Sequence, residues 1–257
     1  MFIPENYSNA IMLAKEHAKR DWPNESCGAI LHNGRYVEFK NIAKQPTVSF
    51  NCGLERDALF ATGQIAAMVH SHCYDKNKIQ TTSVPSDFGP SKHDMVNQLT
   101  DGIPWGIIAT NGDVSSECVF WGDGIPKVEL RNRGFRHGPT GTDGKGDCYA
   151  LIKDYYEQEL NIILPEGPRD VEWWNNEENL YFDNMKRAGF HEIEAKDAKP
   201  GDVFFAQILA NVANHGGILL EGGLILHHLA GRFSRTDSLL RWRSSIVKWI
   251  RHEKRNY

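Results

Sequence analysis

GDCYALIKDYY, residues 146–156, follows a glycine-rich loop and carries an apolar pattern of helical period. Ala150, Leu151 and Tyr155 line one face if this segment is a helix, so Cys148 would stand near the helix N-terminus. There the exposed N–H groups and the positive end of the macrodipole favour a thiolate over a thiol. The stretch alone predicts either a reactive cysteine or a small buried residue that opens a helix.

Composition narrows the class of protein. The 257 residues suffice for one large domain or for two of about 100–150 residues. A formal net charge of -4 gives no reason to expect a nucleic-acid partner. Apolar runs are far shorter than the ~20 residues of a membrane span, and a signal-peptide pattern is missing, which favours cytosolic synthesis. Five scattered cysteines favour reduced thiols over a disulfide framework.

A pair of histidines follows the cysteine on a predicted hairpin. The sequence predicts two strands, 215–220 and 224–228, joined by a Gly-Gly turn. His215 and His227 would then be neighbours across the ladder, where one imidazole can fix the tautomer of the other. A thiol nucleophile needs a base and a third polar group that orients the base. Together with Cys148, the two histidines supply such a set.

These residues occur in the order found in the NlpC-type cysteine peptidases, which the second half of the chain resembles. That family has a papain-like α+β fold and typically hydrolyses peptidoglycan stem peptides. The resemblance implies Cys148 as nucleophile, His215 as general base and then acid, and His227 as the orienting residue. His228 would point to the opposite strand face and be solvated. The matching pieces are Asp147-Cys148, Pro200-Gly201-Asp202-Val203, residues 214–220 and Leu226-His227-His228.

A second pair of histidines lies in the first half of the chain. His70 and His72 follow a predicted buried strand and project on one face. Two imidazoles and a carboxylate make a three-ligand zinc site with an open position for water, although such a pair is also compatible with plain surface residues. Asp94 is a candidate third ligand, in a helix that Ser91 would cap. Glu25 is a candidate base for the zinc-bound water.

This constellation resembles the JAMM (MPN-type) zinc metallopeptidases. The resemblance implies that His70, His72 and Asp94 bind Zn2+, that Glu25 activates the water, and that Ser91 helps to stabilise the tetrahedral intermediate.

Two departures from the JAMM pattern leave alternatives open. Cys73 stands where that family usually has proline, and as a thiolate it would itself be a zinc ligand. The segment between His72 and Ser91 is also longer than usual. Ser83-x-x-Ser86-Asp87 therefore offers a nearer but poorer alternative for the serine and the aspartate.

The combination predicts an α+β protein: a JAMM/MPN-like α/β domain over 1–122, then a linker and a papain-like NlpC-type α+β domain over 123–257. It resembles the tail-tip assembly proteins of lambda-like phages. This implies tail-tip proteins as partners, peptidoglycan stem peptides as substrate, and assembly in the host cytoplasm, with the virion tail as a second location. Neither a nucleic acid nor a membrane span is expected. The competing hypothesis is a non-catalytic assembly or scaffold protein with partly vestigial sites.

Overall fold

The computed structural model describes residues 1–76, 85, 88–176 and 178–255. The chain divides into two compact units. The first comprises residues 1–90, 96–126 and 141–143, and the second comprises 91–95, 127–140 and 144–257. Among the described residues, none of the helices has the length and apolar content that crossing a bilayer requires.

The first unit is built on a five-stranded sheet. Its strands are β1 (Cys27–Leu31), β2 (Tyr36–Phe39), β3 (Ile65–Cys73), β4 (Trp105–Thr110) and β5 (Val119–Trp121). The order is β2-β1-β3-β4-β5, with β3 and β4 parallel and the other neighbours antiparallel. An Asn-Gly pair between two apolar stretches predicts a hairpin turn at Asn33-Gly34, which the structure confirms between β1 and β2, with Gly34 at a φ of 82° that favours glycine.

The first unit also contains the helices α1 (Ser8–Asp21) and α2 (Gly53–Ala61) and most of α3 (Lys92–Asp101). The first residues of α3 are grouped with the second unit. Helix α1 buries Ala10, Ala14 and Ala18, spaced four residues apart on one face. These small side chains pack with buried residues of the sheet that include Ile30 and Ile108.

The second unit contains α4 (Cys148–Leu160), α5 (Leu180–Met185) and a six-stranded antiparallel sheet. The strands are β6 (Phe190–Ile193), β7 (Val203–Ala206), β8 (His215–Leu220), β9 (Leu224–His227), β10 (Arg235–Ser238) and β11 (Ile246–His252), in the order β10-β9-β8-β7-β11-β6. Helix α4 buries Leu151, Ile152 and Tyr156 in a core shared with Ile218 and Val203. The predicted Cys148 helix and His215–His227 hairpin are both confirmed.

Several sequence expectations need correction. His70 and His72 lie within β3 rather than after it, because β3 continues in parallel pairing with β4 as far as Cys73. The sequence pattern also predicts a strand over 115–121 and a helix over 179–189, and the structure has the shorter β5 and α5 there. It leaves residues 242–251 open between a helix and a final strand, and the structure places β11 over Ile246–His252. The strands β6 and β10 are not predicted, since neither has a clear apolar alternation.

The glycine-rich segment 122–147 is not a free linker. The Arg133 side chain is fully buried, with hydrogen bonds to Asp154, to Thr140 and to the carbonyls of Val128 and Glu129. A guanidinium that satisfies its donors in this way can be buried, which composition alone does not reveal.

Candidate active site

The thiol of Cys148 lies at the first residue of α4. Asp147 caps the helix, its Oδ1 accepting the N–H of Ala150 at 3.0 Å. The Cys148 sulfur and the Tyr181 hydroxyl oxygen are 3.1 Å apart, within hydrogen-bonding distance. Tyr181 stands in α5 without any sequence motif around it, so this contact could not be predicted from the sequence.

The charge state of this thiol differs from what a helix N-terminus alone predicts. Burial, and after it the adjacent Asp147 charge, raise the pKa of Cys148, which is about 11. Tyr181, Arg169 and the backbone of Gly216 act in the opposite direction without cancelling the rise. The resting side chain is therefore a thiol, and it requires a base before it can act as a nucleophile.

Three polar side chains of the second unit form a chain of hydrogen-bonding contacts. His215 opens β8 and His227 closes β9, and their Nε2 and Nδ1 atoms are 3.1 Å apart. The other ring nitrogen of His227, Nε2, lies 3.1 Å from Oδ2 of Asp237 in β10. Asp237 was missed in the sequence because Arg235-Thr236-Asp237-Ser238 carries no recognisable pattern.

Asp237 fixes the tautomers of both histidines. A carboxylate can only accept, so Nε2 of His227 carries a hydrogen and its Nδ1 is an acceptor. That Nδ1 therefore accepts from Nε2–H of His215, and Nδ1 of His215 is left with a free lone pair. Burial, reinforced by His227 and His228, lowers the pKa of His215 to about 3, which keeps the ring neutral. The half-buried Trp242 packs on both rings, with its centroid 4.4 Å from that of His227 and 5.5 Å from that of His215.

His228 does not behave as the sequence predicts. It is fully buried rather than solvated, and its ring packs edge-on against Phe135 at 5.3 Å. Burial lowers the pKa of His228 to about 4, with a further contribution from Arg133. The simple alternation of strand faces fails here because β9 ends at His227.

The candidate metal ligands of the first half also come together. Nε2 of His70 and Nε2 of His72 are 3.1 Å apart, and one ligand atom from each of His70, His72 and Asp94 lies within 4.8 Å of the others. Two imidazoles and one carboxylate form a donor set suited to zinc. Ser91 caps α3 as predicted: its N–H and hydroxyl donate to Oδ2 of Asp94 at 2.8 Å each, and its Oγ accepts from the Asp94 N–H.

Other predicted participants lie outside this group of three. Glu25 is buried but is not part of it. The Cys73 sulfur lies 3.2 Å from the carbonyl oxygen of Asn24, and burial raises the pKa of this thiol to about 12. The alternative Ser83-x-x-Ser86-Asp87 lies outside the described residues. The roles assigned to all these residues, the JAMM interpretation and the boundary at 122/123 stay predictions.

Comparison with known proteins identifies relatives of the whole chain and a family match for its second half. Residues 132–248 match the profile of the NlpC/P60 family. Tail tip assembly protein K of Escherichia phage N15 is 30% identical over 245 residues, which cover 92% of this chain and 91% of that protein. The protein of the same name from Escherichia phage lambda is 31% identical over 202 residues, covering 73% and 88%. Among solved structures, the NlpC/p60 domain of the peptidoglycan hydrolase SagA matches 48% of this chain and 89% of its own at 20% identity, with a TM-score of 0.33. The chain belongs to the family of the phage tail tip assembly protein K and carries an NlpC/P60 domain of papain-like α+β fold.

Proposed function

We propose that this chain is a thiol endopeptidase that cleaves peptide bonds of peptidoglycan stem peptides, with Cys148 as nucleophile and His215 as general base. The observation that carries the proposal is the chain His215–His227–Asp237, which leaves one lone pair of a neutral imidazole free. A backbone hydrogen bond from Gly216, the residue after His215, to the Cys148 sulfur supports the pairing of this base with this thiol.

The reaction follows from these groups. Nδ1 of His215 takes the thiol proton while the Cys148 sulfur attacks the scissile carbonyl, forming a tetrahedral intermediate. His215 then returns the proton to the leaving amine, the C–N bond breaks and a thioester remains. Next, His215 removes a proton from water, whose oxygen attacks the thioester carbonyl, and the thiol is regenerated as the acid product leaves. The Tyr181 hydroxyl and the Cys148 N–H at the start of α4 are donors for the developing oxyanion.

Purified muropeptides and intact peptidoglycan test this directly. Wild-type protein should release cleaved stem peptides in liquid chromatography with mass spectrometry, and the Cys148→Ala variant should release none above background. Cys118→Ala is the matched control, because it removes another reduced cysteine that has no place in the site. Equal activity of wild type and Cys148→Ala would refute the proposal and favour a non-catalytic assembly protein.

A second proposal concerns the first half of the chain: His70, His72 and Asp94 bind Zn2+, with Glu25 and Ser91 as the reacting groups of a metallopeptidase. The support is the convergence of three ligand atoms of a suitable kind. Bound there, zinc would polarise a carbonyl and lower the pKa of a water. Mass spectrometry of the purified protein for metal content should find close to one zinc per chain, lost in His70→Ala and Asp94→Asn but kept in His32→Ala, which removes an exposed histidine. Wild-type protein without zinc would refute it.

Association with tail-tip proteins follows the names of the relatives. We propose that the chain assembles with such proteins in the host cytoplasm, with the virion tail as its alternative destination. Antibody detection in purified virions and in tail intermediates from infected cells tests both locations. Absence from both fractions would contradict the proposal.

A further inference from the structure

A buried ion pair fixes the residue that precedes the proposed nucleophile. Nε and Nη2 of Arg169 donate to Oδ2 and Oδ1 of Asp147 at 2.7 and 2.8 Å, a bidentate arrangement. The two side chains are only 5% and 6% exposed. The same carboxylate oxygens accept from the N–H groups of Ala150 and Gly138, at 3.0 and 2.9 Å. Asp147 therefore joins the first turn of α4, the loop before it and the segment that carries Arg169.

The rest of the guanidinium is held equally firmly. Nη1 of Arg169 donates to Oε1 of Glu166 at 2.8 Å and to the carbonyl of Gly167 at 2.6 Å. The second oxygen of Glu166 accepts from Lys153, which also lies on α4, at 2.5 Å. The guanidinium also lies over the Tyr149 ring, 5.2 Å from its centroid. A lysine cannot reproduce this planar fork.

The pair bears on the thiol because Asp147 is its immediate neighbour. A carboxylate beside a sulfur opposes the thiolate that attack requires. The other groups at the sulfur are Tyr181 from α5, the backbone of Gly216 from β8 and the neutral His215 beyond it. His137 also faces the Asp147 carboxylate, with its Nδ1 3.9 Å from Oδ2, but burial lowers the pKa of His137, so Arg169 supplies the cationic charge that can offset Asp147.

We propose that Arg169 is a positioning residue of the Cys148 site, which clamps the Asp147 cap in place and cancels its negative charge beside the thiol. The inference rests on the proposed role of Cys148, yet it concerns a property that is measured without any substrate. Arg169 thus lets Asp147 cap the helix without its negative charge opposing the thiolate form of Cys148. Burial alone would raise the pKa of Asp147, but Arg169 outweighs it and holds that pKa at about 2.

The test is the pH dependence of Cys148 modification by 4,4′-dithiodipyridine, quantified by peptide mass spectrometry. Arg169→Gln leaves the Asp147 charge uncompensated, so the pH at which the modification rate of Cys148 is half-maximal, its midpoint, should rise by about one pH unit. At fixed pH below the midpoint, modification should slow about threefold, since higher nucleophilicity recovers part of the tenfold loss of thiolate. Asp147→Asn should shift the midpoint the other way and accelerate modification about threefold. The double variant should lie within about twofold of wild type.

Arg133→Gln is the matched control. It also breaks a buried arginine–aspartate pair, with Asp154 on α4, but six residues or roughly 9 Å along the helix from Cys148. It should lower thermal stability and leave the midpoint unchanged. If Arg169→Gln does not fold, the acceleration in Asp147→Asn still decides, because general damage to the site does not predict its direction. Midpoints of Asp147→Asn and Arg169→Gln that stay at the wild-type value, or that move in the same direction, would overturn the inference. The proposed endopeptidase activity would be unaffected by that result and fails only through Cys148→Ala.

Discussion

Replacing Asp237 by asparagine should impair catalysis by reversing the tautomers of the two histidines. The amide nitrogen of asparagine can donate to Nε2 of His227, which the carboxylate cannot do. Nδ1 of His227 would then carry the hydrogen and donate to Nε2 of His215. In that arrangement Nδ1 of His215 is protonated and cannot take the proton of the Cys148 thiol.

The size of the effect follows from the contact that is lost. A hydrogen bond to a charged group contributes about 1.5–3 kcal/mol, which corresponds to a roughly 10- to 150-fold decrease in kcat/KM. Because Asp237 does not contact substrate in the proposed mechanism, the decrease should fall on kcat rather than on KM. Arg235→Gln is the matched control: Arg235 donates to the same oxygen of Asp237 at 2.9 and 3.2 Å, but its side chain is 44% exposed. Such an exposed pair contributes about 0.2–1 kcal/mol, so the control should lose at most about fivefold.

The assay is the rate at which stem peptides are released from purified muropeptides, with circular dichroism to establish that each variant is folded. Folded Asp237→Asn protein with activity within about threefold of wild type would refute the relay. An equal loss in Arg235→Gln would refute it too, because charge near the site rather than the tautomer would then be the cause.

Three further substitutions test other parts of the second unit. Tyr181→Phe removes a hydrogen bond that lowers the pKa of Cys148, the proposed nucleophile. The pH midpoint of thiol modification should rise, and kcat/KM for release of stem peptides should fall about two- to tenfold. An unchanged midpoint would contradict this. Gly217→Ala would place a Cβ 2.6 Å from the Leu226 carbonyl oxygen, so denaturant unfolding should show that the free energy of unfolding falls by about 1–3 kcal/mol. In the control Gly167→Ala, the nearest atom lies 3.4 Å from the new Cβ, and the free energy of unfolding should change by less than about 0.5 kcal/mol. Burial depresses the pKa of folded His228, so between about pH 6.5 and 4 the unfolded chain binds the proton first and stability decreases as the pH drops. His228→Asn should therefore flatten the fall in melting temperature across this window. An unchanged slope of melting temperature against pH would contradict this.

The sequence predicted the parts of the site that depend on local patterns. The Cys148 helix has an N-cap residue and a helical apolar period, and the His215–His227 hairpin has two apolar strands around a Gly-Gly turn. Asp237 could not be predicted in this way. Its strand, β10, is polar and owes its conformation to pairing with β9, so nothing in its own four residues indicates where its carboxylate lies.

Buried charges were the other class that sequence patterns missed. Arg133, Arg169 and Asp147 would all be assigned to the surface by residue type alone. Each is buried because a segment distant in the sequence supplies a partner: Asp154 for Arg133, and Asp147 and Arg169 for each other. Since one unpaired buried charge is strongly destabilising, such groups become predictable only when both partners are located.

The protonation state of Cys148, the proposed nucleophile, does not follow from its position at a helix N-terminus alone. A helix N-terminus stabilises an anion by about 0.3–2 kcal/mol. Burial and the Asp147 charge nevertheless raise the pKa of Cys148 from its ordinary value of 9.0 to about 11. This shift favours the thiol over the thiolate by about 3 kcal/mol relative to an unperturbed cysteine. Burial lowers the pKa of His215 to about 3, so moving the proton from the thiol to this ring before attack is strongly unfavourable. Proton transfer to His215 is therefore expected to accompany the attack on the carbonyl, so that a full thiolate–imidazolium pair does not have to form first.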